Sequence, residues 1–246
     1  MAAGRHARRR FERSDVPEAS RGRTVGAVVA LVLVALLGFL LVRFLWARAR
    51  EDSTMGDAEL ASALDEAADP ARETDLARSG DEFENVLFLI VSDASASAPE
   101  LASARLACLD VTAGRGFLVT LPQGMRLASG EGTLAELVAS QGEAAAVGAV
   151  AEACGLPVSH VVVVDQAGYD AIFEVAASGA QDLVGAASEL LSSMRTDMGP
   201  GDLVSLAETL QGIGTSSLSA VDAPLAGDGA TVDADALGVA VGYLVP

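Results

Sequence analysis

Two runs of apolar, β-branched residues carry the strongest pattern in this chain: Phe83–Asp93, FENVLFLIVSD, and Val158–Asp165, VSHVVVVD. In the first, Val86, Phe88 and Ile90 would point one way and Leu87, Leu89 and Val91 the other, and all six are apolar. A strand apolar on both faces needs cover on both, as strands inside an α/β sheet have. Ala104–Val111 and Gly116–Leu121 predict a hairpin around Thr112-Ala113-Gly114-Arg115. The pattern predicts helices over 133–154, 167–178, 181–195 and 200–212. The first opens at Thr133 with Glu136 three residues on, a capping-box signature, and closes at Gly155 before Pro157; the last is capped near Asp202. Ala236–Leu244, ALGVAVGYL, reads as a final strand. Strands alternating with helices predict a three-layer α/β domain over 83–246.

Upstream the pattern changes. Thr24–Val42 holds no charge, and with Phe44–Trp46 it is long enough to cross a hydrocarbon core of roughly 30 Å. Residues 1–23 are polar and Arg-rich without apolar periodicity, so disorder is expected there. Seven arginines precede the apolar run, while Arg43, Arg48 and Arg50 after it are partly offset by Glu51 and Asp52. That bias places the N-terminus in the cytoplasm and the domain on the outer face. A cleaved signal peptide is the rival reading, with Ala47-Arg48-Ala49 as its cleavage site, but its apolar core is usually only ~7–15 residues. An uncleaved anchor over 24–46 is the expectation. Residues 47–82 are acidic; Leu60 and Leu64 form a thin apolar stripe broken at Pro70, which predicts a short helix and then a stalk.

Charge sharpens this division. All sixteen basic residues are arginine, ten of them within residues 1–50, and residues 52–246 carry a balance of −24. So acidic a portion repels nucleic acid except where its few arginines gather.

Chemistry is sparse. Asp93 and Asp165 follow strands, where ligands of open α/β sheets bind, and carboxylates suit Mg²⁺; the competing role is to cap the loop or helix that follows. Arg105 and Arg126 are the forked donors that phosphate recognition favours, set against surface ion pairing in an acidic domain. His160 lies in a strand and reads as a hydrogen-bonded core histidine. No serine sits in a nucleophile elbow and no glycine run resembles a phosphate loop. Cys108 and Cys154 are the only cysteines; outside the membrane a disulfide is allowed, and sequence leaves open whether they are bonded or two buried thiols.

The order NVLFLIVSD, LACLDVTAGRGFLVTLPQGMRL, then GLPVSHVVVVDQAGYDAIFEV, behind one membrane helix, resembles the LytR-CpsA-Psr family. MRTDMGPGDLVSLAETLQGI is similar to that family's C-terminal helix pair. The resemblance implies an LCP-like domain, with a central mixed sheet flanked by helices, on the outer face of the cytoplasmic membrane. It also implies transfer of glycopolymers from a polyprenyl pyrophosphate carrier to peptidoglycan, with aspartates on Mg²⁺ and arginines on the pyrophosphate.

Much of that machinery is missing. The family's L-L-G-x-D aspartate corresponds to Asp93, but its R-x-D pair falls on Glu100 and Ala102, and the arginine and aspartate of S-I-P-R-D fall on Gln123 and Gly124. Only the further arginine has a counterpart, Arg126, with Arg105 as a substitute for one that is lost. The expectation is a shortened, non-catalytic relative that binds a polyprenyl-phosphate lipid, wall glycopolymer or protein partner. The alternative is an active Mg²⁺-dependent phosphotransferase using Asp93 for metal and Arg126 and Arg105 for phosphate.

Overall fold

Alternation of sheet and helix is what the chain adopts. The computed structural model describes residues 56–67, 70, 74–94, 96, 99–128, 130, 132–178, 194–214 and 217–246. The tail, the apolar segment 24–46 and most of the helix expected over 181–195 lie outside them. Among the described residues no helix is long and apolar enough to cross a membrane.

Among the described residues six strands form the central sheet. β2 (Phe83–Val91), β3 (Leu101–Asp110) and β4 (Arg115–Leu121) make an antiparallel meander, with β5 (His160–Asp165) parallel to β2. β6 (Met194–Thr196) lies antiparallel beside β5, and β7 (Leu218–Asp222) parallel to β4. The order is β6-β5-β2-β3-β4-β7, a mixed sheet. A separate ribbon pairs β1 (Ala77–Arg78) with β8 (Leu244–Val245).

Both faces of the sheet are covered. On one face Leu87, Leu89, Leu106, Cys108, Val161 and Val163 pack against four helices. These are α1 (Ala58–Glu66), α2 (Leu134–Gln141), α3 (Glu143–Cys154) and α6 (Ala234–Ala240). On the other face Val86, Phe88, Ile90, Val162 and Val164 meet α4 (Gln166–Ser178) and α5 (Pro200–Ile213) through Tyr169, Leu206, Leu210 and Ile213. The doubly apolar strands, β2 and β5, both lie inside the sheet rather than at its edges, as burial on both faces requires.

Four expectations need correction. The helix over 133–154 is two helices: Gly142, at φ 84°, breaks it, and its amide still donates to Val138 O. That left-handed φ is open to glycine without penalty, so the chain turns there and stacks α2 on α3. Ala236–Leu244 is not a strand: Asp233 accepts the amide of Ala236 at 3.1 Å and starts α6, leaving only Leu244–Val245 extended. Met194 and Arg195, expected as the end of a helix, belong to β6. The domain also begins before residue 83. α1, expected in a stalk over 47–82, docks on α3 with Leu60 fully buried.

The docking of α1 has a visible cause. Asp57 caps the helix, accepting the amides of Glu59 and Leu60 at 3.0 and 3.4 Å. Arg195 holds the same carboxylate at 2.9–3.0 Å and reaches Glu143 of α3 at 3.5 Å. The amides of Gly56 and Asp57 donate to Met198 O and Thr196 O, continuing the edge strand.

Candidate functional site

Register places the sequence-predicted residues at one end of the sheet. Val91 pairs with both Leu101 and Asp165, and Ala104 pairs with Leu121. The ends of β2, β4 and β5 and the start of β3 therefore coincide. Asp93 follows β2, Arg105 lies four residues into β3, Arg126 follows β4 and Asp165 ends β5. This is the carboxyl end of the parallel pair β2–β5, where ligands of such sheets bind.

Their side chains have separate surroundings. Asp165 accepts the amide of Gly168 at 2.7 Å, so its carboxylate caps α4. Asp93 is exposed, and its carbonyl accepts the amide of Ala96 at 3.1 Å. Arg126 is exposed too; its backbone amide donates to Ala230 O at 2.9 Å, which brings it beside the Asp228 turn. There Asp228 accepts from the Thr231 hydroxyl at 2.6 Å and from the amides of Thr231 and Ala230, and these bonds hold its carboxyl down at about 2. The Arg126 charge acts in the same direction.

Arg105 is half-buried on the α4 face of the sheet, next to Phe88 in register. Its Nη1 donates to the Tyr169 hydroxyl at 3.0 Å, and its guanidinium carbon stands 4.7 Å from the centroid of that ring. Phe88 and Phe173 pack on Tyr169 at centroid separations of 5.5 and 4.9 Å. Burial pushes the Tyr169 phenol up, opposed by Arg105, so it stays protonated at neutral pH. Among the described residues no acceptor reaches the buried Arg105 Nε. An orphaned guanidinium donor costs free energy unless an oxygen reaches it.

Among the described residues no group of three His, Cys, Asp or Glu could hold a metal ion. Asp165, the second aspartate at this end, has one oxygen committed to a backbone amide.

Sequence reasoning missed Tyr169, and its signal was present: it stands in the first turn of the helix that follows Asp165. It also missed Asp197, which partners His160 at 2.8 Å. Cys108 and Cys154 are both buried free thiols. Burial raises both, Cys154 up to about 12, and Cys108 is raised further by the neighbouring Cys154.

Neither a protein-family model nor a curated protein matches the sequence. Solved structures do. The crystal structure of TagV from B. subtilis superposes with a TM-score of 0.51 at 11% identity, over 68% of this chain and 100% of that one. A structure of TagT bound to LI-WTA gives 0.48 at 13% identity, over 71% and 93%. At such identities the likeness speaks to the fold alone, and the TagV superposition carries it. The order of elements read from the sequence and the mixed three-layer sheet agree with it: the chain has the LytR-CpsA-Psr fold.

Proposed function

We propose that the protein is a membrane-anchored, outward-facing member of the cell envelope that binds a polyprenyl-linked, phosphate-bearing intermediate without turning it over. The anchor is the apolar segment 24–46, with a cytoplasmic N-terminus. The observation that carries the reading is the half-buried Arg105 guanidinium near the sheet end that β2 and β5 share, whose Nε meets no acceptor among the described residues. A phosphate oxygen against Arg105 would satisfy its orphaned Nε, and Arg126 would supply a second, exposed charge.

Loss of chemistry is supported by the same residues. Transfer from a pyrophosphate develops charge on the leaving group, which normally takes several cations or a metal to stabilise. Glu100, Ala102, Gln123 and Gly124 stand where the family pattern has its arginine–aspartate pairs. Asp165 is spent on a helix cap. An active transferase remains the second reading because Asp93 is exposed at this same end.

The test uses the full chain in detergent micelles with a polyprenyl pyrophosphate. Saturable, salt-sensitive binding that weakens about tenfold or more in Arg105→Ala, with no Mg²⁺-dependent phosphate release, is the expected result. Release abolished by Asp93→Ala would replace it with the transferase reading. Binding to a wall glycopolymer or a protein alone would reject the lipid-linked ligand.

A further inference from the structure

At the opposite end of β5 the structure holds a second polar arrangement that the proposed function does not use. His160 Nδ1 lies 2.8 Å from Asp197 Oδ2, while Asp197 Oδ1 accepts the Val161 amide at 2.7 Å. One carboxylate thus holds both the ring and the backbone where β5 begins. Next to it, Thr196 Oγ1 donates to Val161 O at 2.7 Å and accepts the Met198 amide at 3.2 Å. This turn is also the seat of the incoming chain: Thr196 O and Met198 O receive the amides of Asp57 and Gly56, and Arg195 grips the Asp57 carboxylate.

We propose that His160 and Asp197 form an acid-strengthened latch, which couples the pH of the envelope to how firmly α1 is seated on the domain. The groups facing the imidazole are Asp197 from the turn after β6, Glu84 from β2 and Asp202 from α5, all acidic. A protonated ring is attracted to all three. The hydrogen bond to Asp197 is the largest influence and raises the imidazole above its ordinary value; partial burial opposes it, and the charges of the three acids add to it.

The direction of the pH effect follows. A histidine whose folded pKa is raised contributes stability that is fully present below its unfolded value of about 6.5. That contribution is lost as pH rises through the folded value. Acidic conditions therefore tighten the latch, and mildly alkaline ones relax it. The relaxation passes along β6 to the amides of Gly56 and Asp57.

Two measurements on the full chain in micelles test this. In hydrogen exchange corrected for intrinsic rates, peptides covering Gly56–Leu60 and Val161 should lose protection by roughly three- to tenfold between pH 5.5 and 8. His160→Gln, which cannot titrate, should flatten that step. Separately, the His160 ring resonances should titrate above an ordinary histidine, and Asp197→Asn should bring the midpoint down. Protection that is flat in the native chain would overturn the latch. So would an equal step in His160→Gln, or a midpoint unmoved by Asp197→Asn. If Asp197→Asn fails to fold, the His160→Gln comparison still decides.

Discussion

The guanidinium of Arg105 rests on the ring of Tyr169, 4.7 Å from its centroid, and donates to its hydroxyl at 3.0 Å, tying β3 to α4. The contact has a polar part and a cation–π part, and substitution separates them. Tyr169→Phe keeps the edge-on packing against Phe88 and removes only the acceptor, which should cost about 1 kcal/mol. Tyr169→Ala removes the ring as well and should cost about 3–5 kcal/mol by analogy with other large-to-small core changes. Denaturant unfolding of the two variants checks the ranking; equal losses would mean the hydroxyl is the whole contact.

Leu60→Ala tests whether α1 belongs to the domain. Leu60 is fully buried among the residues of the core, so truncation should cost about 2–5 kcal/mol. A helix lying in a free stalk would lose almost nothing. Urea unfolding gives the answer directly.

Arg195→Met tests what holds that helix at its start. The substitution leaves Asp57 with only its capping bonds and Glu143, with a side chain 8% exposed, without its arginine. Hydrogen bonds to charged groups at such sites contribute about 1.5–3 kcal/mol, and the loss should fall in that range. Limited proteolysis should speed up around residues 67–76, upstream of β1. Cleavage at an unchanged rate would show that backbone pairing to Thr196 and Met198 suffices.

Cys108 and Cys154 should resist thiol reagents in the native protein at pH 8. Burial leaves little thiolate to react, with Cys154 raised to about 12 and Cys108 higher. Both should label at once in denaturant, and a peptide map without reductant should find two free thiols. A 108–154 crosslink in that map would overturn the prediction.

Legibility from sequence followed burial. β2 and β5 are covered on both faces, so their unbroken apolar runs announced them. The β3–β4 hairpin was legible because its turn residues separate two apolar stretches. β7 was missed: it sits at the sheet edge with Ser219, Ala220 and Asp222 exposed, and an edge strand needs no apolar run. β6 and β8 are three and two residues long, and pairing with distant strands alone makes them extended. The break at Gly142 was hidden because good helix formers stand on both sides of it, Gln141 before and Glu143 after.

The candidate site divides along the same line. That Asp93, Arg126 and Asp165 end or follow strands and that Arg105 lies within one was readable, and register then shows that the ends of β2, β4 and β5 coincide. Which neighbours they would choose was not. Asp165 could have been a ligand or a cap, and only the orientation of the Gly168 amide decides. Arg105 finds its ring on a helix 64 residues further along the chain, a meeting that no local pattern encodes.

The pairing of β2 with β5 has a consequence for how the molecule assembles. The β2–β3–β4 meander closes short loops and can form early, but its parallel neighbour arrives only after the whole α2–α3 segment has been synthesised and looped back. Closing so long a connection imposes an entropic barrier before any contact rewards it, so this chain should fold slowly for its size. Until then the apolar flank of β2 stays uncovered, and that half-built edge is where self-association would begin.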